Sequence, residues 1–391
     1  MIVHGGCFFA WRLTLCGTST YNASRVVFSA GLLVISDKCL AIWSRVSLTA
    51  NNNYKIAVLG AGSFGTVIAN MLAVNGFATT LWMRSDQQLQ AIREAGENSA
   101  YLPGYRFDSR LSFTTELQQA LEGADTVFFA VPSSVLRQVA QLAKPWINKS
   151  ALLISTAKGI EADSFALPSQ ILEQELPGSK VGVLSGPNLA KEIANYEITA
   201  TVIASEHDEV CNRAQEILAS KYFRIYANHD RYGVELAGAL KNIYAIVSGI
   251  AEAMNVGQNT KSVVLTRSLA EMSRFACHLG ANPLTFLGLS GVGDLYVTCS
   301  SPLSRNFRIG LALGGGKSLE QAIIDVGQVA EGVNTTRLVK ERADELGIYM
   351  PLASALYATM FEQRSIVESL RAMMVAEQNT DVEFMVKSNE R

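Results

Sequence analysis

The sequence predicts an α/β half built on a doubly wound, mostly parallel sheet, followed by an all-α half. From Tyr54 to about residue 230, continuous apolar runs alternate with helical stretches, as in parallel sheets covered by helices on both faces. Beyond Val234 long helical patterns follow one another, and little of the sequence reads as strand. We therefore expect one domain over residues 54–233 and a second over residues 234–391.

A glycine-rich loop follows the first predicted strand. Lys55–Leu59 is mostly apolar, and Gly60-Ala61-Gly62-Ser63-Phe64-Gly65 comes directly before a stretch that can continue as a helix. A dinucleotide-binding loop requires this order, since Gly60 permits the tight turn, Gly62 lets a pyrophosphate approach the backbone, and Gly65 lets the helix pack closely. Free N–H groups at the helix start would face the anion. We expect a Rossmann-type dinucleotide site, the alternative being a purely structural glycine turn.

The remaining elements follow from the same patterns. Further strands are predicted at Ala78–Met83, Thr126–Val131, Ala151–Thr156, Val181–Leu184, Thr199–Ala204 and Tyr222–Tyr226. Helices of the second half are predicted at Val234–Met254, Ser262–Leu279, Arg305–Leu313, Leu319–Asp325, Thr335–Leu346 and Ala353–Phe361. In such a sheet the ligand is expected at the carboxyl ends of the strands.

Composition narrows the classes of protein. The 391 residues are 49% hydrophobic and carry a net charge of -2. Because there is no excess of basic residues, we do not expect the protein to bind nucleic acid. Six cysteines without a C-x-x-C pair are typical of reduced thiols in the cytoplasm, and four histidines show no metal-ligand spacing. Residues 1–53 are basic and rich in Ser and Thr, and their apolar run Val26–Ile35 is too short to span a bilayer. We expect a poorly packed extension without stable membrane insertion, and a targeting segment is the alternative.

Cations follow two of the strands. Arg84 stands at the end of the second predicted strand, where NAD sites usually hold an acid. A cation at this position favours NADP, because it suits a 2′-phosphate. Asp86 lies nearby in the sequence and keeps NAD possible. Lys158 follows a later strand and would point into the crevice, where a phosphate or carbonyl oxygen needs a positive donor, unless it is simply solvated. The next strand end, Ser185–Asn188, offers backbone donors and an amide.

The second half carries one lysine among small residues. Ala237 and Gly238 precede Lys241 on a predicted helix and leave room for another body to come close to it, so a partly dry Lys241 could exchange a proton. The alternative is a helix crossing from which the lysine reaches solvent. Gly291–Leu295 is predicted to be a loop that presents the Asp294 carboxylate. Ser304, Arg305 and Asn306 cluster at a helix start and are typical of a phosphate site.

Taken together, these residues match a family. From Tyr54 to about Gln378 the chain resembles bacterial NAD(P)-dependent glycerol-3-phosphate dehydrogenase. The matching segments are Gly60–Thr66, Leu81–Arg84, Tyr101–Gly104, Ala130–Ser133, Thr156–Glu161, Ser185–Asn188, Leu240–Asn242, Gly291–Asp294, Arg305-Asn306 and Val329–Gly332. Phe64 stands where the family commonly has Trp and Asn188 where it often has Ser, and residues 1–53 have no counterpart.

The resemblance implies hydride transfer between NAD(P)H and dihydroxyacetone phosphate, giving sn-glycerol 3-phosphate for phospholipid synthesis. It implies that Lys241 exchanges the proton with the substrate oxygen and that Asp294 orients Lys241. The implied substrate contacts are Lys158, Gly186, Asn188, Lys241, Asp294, Ser304, Arg305 and Asn306. The implied cofactor contacts are Gly60, Gly62, Ser63, Phe64, Gly65, Arg84, Lys158, Ala190, Arg305, Val329 and Glu331.

We expect a homodimer. Two other functions stay open at this point. A related two-domain NADP-dependent reductase of another 2-keto or hydroxy acid would also tolerate Lys158, Lys241 and Asn242, although the Ser304–Asn306 cluster favours a phosphate. A nucleotide-sensing protein that has lost catalysis would keep the glycine loop without turnover.

Overall fold

The computed structural model describes residues 54–327, 331–365 and 368. Its strands are β1 Lys55–Leu59, β2 Ala78–Trp82, β3 Leu111–Thr114, β4 Thr126–Phe129, β5 Leu152–Ser155, β6 Lys180–Ser185, β7 Thr199–Ala204 and β8 Phe223–Asn228. The helices of the first half are α1 Ser63–Val74, α2 Asp86–Ala95, α3 Leu117–Leu121, α4 Ser133–Ala143, α5 Pro168–Glu175, α6 Ala190–Ala194 and α7 Asp208–Leu218. Those of the second half are α8 Arg231–Ala253, α9 Gln258–His278, α10 Asp294–Ser300, α11 Arg305–Gly314, α12 Leu319–Val326, α13 Glu331–Leu346 and α14 Pro351–Phe361. The predicted extension over residues 1–53 lies outside this range.

All eight strands form one sheet in the order β3-β2-β1-β4-β5-β6-β7-β8. Every neighbouring pair is parallel except β6 and β7, which pair antiparallel through Leu184 and Ile203. The mostly parallel, doubly wound sheet and the helical second half are therefore confirmed. The carboxyl ends of β1, β4 and β5 lie side by side, because Leu59 pairs with Phe129 and Phe129 with Ser155.

Sequence reasoning missed one strand, and it placed the starts of α8, α9, α13 and α14 two to four residues too late. β3 is only four residues long, and its alternating pattern is weak because it lies at the sheet edge. Helix α8 starts at Arg231 rather than at Val234, because the Asp230 side chain accepts a hydrogen bond from Gly233 N at 2.9 Å and caps the helix. Helix α9 starts at Gln258 rather than at Ser262.

Helix α8 is the centre of the second half. It is packed by α9, α10, α11, α13 and α14 and contributes Leu236, Leu240, Ile243 and Tyr244 to the largest apolar cluster. By length and composition it could cross a membrane, but 83% of its most apolar window is buried inside the protein. A helix that is apolar on nearly all sides is expected where neighbours surround it.

Two buried glutamates bind the N-termini of other helices. Glu271 of α9 accepts hydrogen bonds from Leu352 N at 2.7 Å and Ala353 N at 3.2 Å, in the first turn of α14. Glu235 of α8 accepts one from Ser169 N at 2.9 Å, in the first turn of α5. Burial raises the pKa of each carboxyl to about 7, against the opposing effect of these N–H donors.

Candidate active site

The three glycines of the loop after β1 have different surroundings. Gly60 has φ +118°, and a Cβ there would lie 2.6 Å from the carbonyl oxygen of Ala130. A Cβ on Gly65 would lie 1.9 Å from the carbonyl oxygen of Gly60, so helix and strand can meet only without one. A Cβ on Gly62 would meet none of the described residues within 4 Å. The protein itself fills the space at Gly60 and Gly65, whereas the space at Gly62 is open to a ligand.

The N-terminus of α1 is suited to an anion. Gly62 is its N-cap residue, and none of the described side chains caps the first turn. The Ser63 hydroxyl donates a hydrogen bond to the Tyr101 carbonyl at 2.9 Å, which fixes the loop over residues 97–104 beside the helix start. The uncapped N–H groups and the helix dipole fit the pyrophosphate of a dinucleotide. Phe64 is half-buried and packs against the neighbouring apolar cluster.

Arg84 lies exposed just after β2, the position at which a dinucleotide fold meets the adenosine ribose. Asp86, the nearby acid, accepts a hydrogen bond from the Thr115 hydroxyl at 2.7 Å and begins α2. Arg84 is thus an exposed cation at this strand end, and Asp86 already binds the Thr115 hydroxyl.

A single carboxylate joins two lysines just beyond the carboxyl end of β5. Asp294 Oδ2 accepts a hydrogen bond from Lys158 Nζ at 2.6 Å, and Oδ1 accepts one from Lys241 Nζ at 2.5 Å. Lys158 follows β5, Lys241 is on α8 and Asp294 begins α10, so three distant segments meet here. The side chains of Asp294 and Lys241 are 1% and 8% exposed, against 20% for Lys158. Lys158 is therefore the more accessible of the two cations.

Burial lowers the pKa of Lys241 to about 8. The negative charge of Asp294 opposes this shift, and the positive charge of Lys158 adds to it. An ammonium with a pKa near neutrality can both give and take a proton under physiological conditions. The arrangement thus supports the sequence-based expectation of a partly dry lysine.

Gly238 lets α8 approach the strand half. A Cβ on Gly238 would lie 2.9 Å from the Ser185 hydroxyl and 3.6 Å from Lys158 Cγ. The small residue at this position therefore makes room for another part of the same chain. That other part is the carboxyl end of β6 together with the stem of Lys158.

The segment before Asp294 differs from the predicted loop. Leu289–Gly293 forms a π-helical turn that runs directly into α10, so Asp294 is a helical residue. Thr298 lies one turn later: its hydroxyl accepts a hydrogen bond from Lys241 Nζ at 2.7 Å and donates to the Asp294 carbonyl at 2.6 Å. Sequence reasoning missed Thr298, although its i+4 spacing from Asp294 would have placed it on the same face of a helix.

The strand end at Ser185–Asn188 lies beside the lysines. Lys158 Nζ donates to the Gly186 carbonyl at 2.9 Å, and Asn188 Nδ2 donates to the Thr201 hydroxyl at 2.9 Å. The Asn188 Oδ1 atom and the Ser185 hydroxyl are buried without a partner among the described residues. Buried polar atoms of this kind are suited to hydrogen bonds with a ligand. Ala190, half-buried, begins α6 just beyond this segment.

The Ser304–Asn306 cluster starts α11, as predicted. The Ser304 hydroxyl accepts a hydrogen bond from Phe307 N at 3.3 Å and so keeps its own proton for a ligand. Asn306 Oδ1 accepts one from Gly332 N at 3.0 Å, while Arg305 is exposed.

Glu331 bridges the two halves of the protein. Its carboxylate accepts a hydrogen bond from the Ser133 hydroxyl at 3.2 Å, in the first turn of α4. Burial raises the pKa of Glu331, and the charges of Arg305 and Lys158 act in the opposite direction. Val329, the other expected cofactor contact in this segment, lies outside the described residues.

A chain of contacts links the glycine loop to the lysines. Gly60 and Gly65 abut Ala130 at the end of β4, and Ser133 follows three residues later. A Cβ on Gly159 would lie 2.3 Å from the Ser133 hydroxyl, so the residue after Lys158 packs against the start of α4. One continuous line of strand ends thus runs from the dinucleotide loop to the Lys158–Asp294–Lys241 cluster.

Comparisons with known proteins agree with this arrangement. The family described as NAD-dependent glycerol-3-phosphate dehydrogenase matches residues 55–211 with its N-terminal part and residues 230–371 with its C-terminal part. The chain belongs to this family. Glycerol-3-phosphate dehydrogenase [NAD(P)+] of Teredinibacter turnerae is 54% identical over 85% of this chain and 98% of its own length.

Solved structures support the same family. A crystal structure of glycerol-3-phosphate dehydrogenase from Coxiella burnetii has a TM-score of 0.79 at 35% identity and covers 83% of this chain and 99% of its own. A ketopantoate reductase from Ralstonia eutropha has a TM-score of 0.51 at 20% identity, covers 82% of this chain and 99% of its own, and shares the fold alone. The alternative of a reductase for another 2-keto acid is therefore not favoured.

The glycine surroundings predict opposite effects for two matched variants. Gly62→Ala adds a methyl group at φ −75°, a backbone that any residue adopts, in space that only a ligand would fill. We expect its Tm to stay within about 2 °C of the wild type and its Kd for NADPH to rise at least tenfold, about 1.4 kcal/mol. Gly65→Ala forces a Cβ into the Gly60 carbonyl and should lower the Tm. Calorimetric titration and thermal unfolding measure both, and wild-type affinity in Gly62→Ala would contradict the assignment.

Proposed function

We propose that the protein reversibly reduces dihydroxyacetone phosphate to sn-glycerol 3-phosphate with NAD(P)H and supplies glycerol 3-phosphate for phospholipid synthesis. The observation that carries this proposal is the buried Lys158–Asp294–Lys241 cluster at the end of the strand line that begins at the glycine loop. Membership of the family supports the choice of substrate.

Reduction of the ketone needs a hydride at C2 and a proton at its oxygen. The bound cofactor supplies the hydride. Lys241 supplies the proton, because it is buried and its lowered pKa lets it donate and accept near pH 8. Asp294 and Thr298 each bind Lys241 Nζ and so fix the direction in which the ammonium points. In the oxidation direction the neutral amine of Lys241 takes the hydroxyl proton.

Lys158 stabilises the negative charge that develops on the substrate oxygen. Its ammonium already lies against Asp294 and the Gly186 carbonyl, so it is positioned before a ligand arrives. Asn188 presents a buried Oδ1 atom beside it, which could accept a hydrogen bond from a substrate hydroxyl. Together these groups bind the three-carbon part of the substrate.

The phosphate end is assigned to Ser304, Arg305 and Asn306. The guanidinium supplies the charge, and the Ser304 hydroxyl and the start of α11 supply further donors. On the cofactor side we assign Gly60, Gly62, Ser63, Phe64 and Gly65 to the pyrophosphate end and Arg84 to the ribose. Ala190, Val329 and Glu331, with Lys158 and Arg305, complete the proposed cofactor contacts.

The compartment and the oligomeric state complete the proposal. We expect the protein to act in the cytoplasm, because its cysteines suit reduced thiols, and to form a homodimer. Light scattering after gel filtration measures the mass directly, and a mass of 42.3 kDa, that of one chain, would contradict the dimer.

Turnover and its pH dependence test the role of Lys241. The wild type should oxidise NADPH or NADH when dihydroxyacetone phosphate is added, and kcat/KM should fall about tenfold per pH unit above about pH 8 as Lys241 loses its proton. Lys241→Ala should lower kcat by about 10²–10⁴-fold and leave the Kd for NADPH largely unchanged. Nicotinamide absorbance follows the rate.

Lys261→Ala serves as the control, because this lysine pairs with Glu252 at the surface of α9. Its kcat should equal that of the wild type. A folded wild-type protein without turnover would support the sensor alternative instead, and retained turnover in Lys241→Ala would remove Lys241 from the mechanism.

Arg305→Ala tests the assignment of the phosphate end. A charge-assisted bond to phosphate contributes about 1.5–3 kcal/mol, so KM for dihydroxyacetone phosphate should rise at least tenfold, about 1.4 kcal/mol. Arg337→Ala, which removes another partly exposed arginine on α13, should leave KM unchanged. Steady-state kinetics decide the point, and an unchanged KM in Arg305→Ala argues against a phosphate at this place.

A further inference from the structure

Helix α8 is tied to α5 by a buried carboxylate. Glu235 is 4% exposed and accepts hydrogen bonds from both the backbone N–H and the hydroxyl of Ser169, in the first turn of α5. Because α5 belongs to the strand half and α8 to the helical half, this contact crosses between the two.

A second ion pair connects the same two helices. Arg231 Nη1 of α8 lies 2.6 Å from Glu173 Oε1 of α5. Arg231, Glu235 and Gly238 are spaced four and three residues apart, so they form one stripe along α8 that faces the strand half. Gly238 ends this stripe against Ser185 and Lys158. The stripe therefore sets how α8 lies on the strand half.

Each tied helix is connected directly to one of the two lysines. Lys241 lies six residues after Glu235 on the same helix, a rise of about 9 Å. Lys158 and α5 belong to one continuous segment after β5, because α5 begins ten residues beyond Lys158. A shift of α8 against α5 would thus change the separation of the Lys158 and Lys241 ammonium groups, both of which must reach Asp294.

We propose that Glu235 is a positioning residue, which holds α8 against α5 so that Lys241 and Lys158 keep their spacing across Asp294. The proposal rests on the proposed function, since it assigns a role in that reaction. A fully buried carboxylate is costly to desolvate, and an apolar side chain of similar volume often stabilises a fold as well or better. The stability of the fold alone therefore does not explain why a carboxylate stands at position 235. The need to keep Lys158 and Lys241 at a fixed spacing does.

The first experiment separates kcat from cofactor affinity. Glu235→Ala should lower kcat for dihydroxyacetone phosphate at least tenfold, because Lys241 is displaced, while the Kd for NADPH stays within twofold, because the glycine loop is untouched. Glu235→Gln keeps an oxygen for Ser169 N and an amide for the hydroxyl, so it should retain at least a third of the wild-type kcat. Stopped-flow binding and steady-state rates are measured at a temperature where each variant is folded.

Glu271 provides a matched control. It is also a fully buried carboxylate that caps a helix, and it accepts a hydrogen bond from the Tyr244 hydroxyl of α8 at 3.2 Å, but these partners on α8 and α14 all belong to the helical half. Glu271→Ala should lower the Tm as Glu235→Ala does and yet keep kcat within twofold. Equal losses of kcat in both variants would mean general loosening and would overturn the proposal, as would wild-type kcat in Glu235→Ala.

Ser169→Ala keeps the proposal testable where Glu235→Ala does not fold. It removes only the hydroxyl partner of Glu235 and should lower kcat about threefold with an unchanged Kd for NADPH. A folded Ser169→Ala protein with wild-type kcat would overturn the proposal. Absence of turnover in the wild type would instead refute the proposed function, so the two failures are distinguishable.

Discussion

The structure depends on the carboxylate of Asp294, which two ammonium groups share. An ion buried to this degree is stable only when charged hydrogen-bond partners replace its water shell. Lys241 and Lys158 supply those partners from α8 and from the end of β5. Without the carboxylate the two ammonium groups would repel one another, and the charged form of Lys241 would be buried without a counter-charge. The cluster is thus one unit whose three members hold each other in place.

This unit also explains why the protein needs both halves. The sheet brings the glycine loop and Lys158 to one edge, where the Gly186 carbonyl accepts a hydrogen bond from the Lys158 ammonium. The helical half contributes Lys241, Asp294 and Thr298. Small residues such as Gly238 allow the two halves to approach closely enough for hydrogen bonds between their side chains. The chemistry therefore arises at a boundary rather than within either half.

Much of this could be predicted from the sequence, for identifiable reasons. The glycine loop has a local signature, because its glycine spacing stands between an apolar run and a stretch that can continue as a helix. Long apolar strands and helices have clear periods. The edge strand β3 lacks such a pattern because it is short and half-exposed. The π-helical turn before Asp294 was unpredictable because its two glycines are more typical of a loop, and with the helix missed Thr298 was missed too. Resemblance supplied the role of Asp294, since a single carboxylate carries no spacing of its own. Arg305 was assigned to a phosphate site from the residues themselves, because Ser304 and Asn306 lie with it at a helix start.

The apolar surface of α8 has a consequence for synthesis of the chain. Its neighbours α9 to α14 follow it in sequence, so the ribosome makes α8 before most of the residues that cover it. Until residues as far as Leu356 have emerged, a segment with the length and composition of a membrane span is exposed to the cell. The strand half can be complete by then and offers an early surface on which α8 can pack, through Arg231, Glu235 and Gly238. The stripe of Arg231, Glu235 and Gly238 that orients α8 in the finished protein thus also gives the nascent helix an early packing surface.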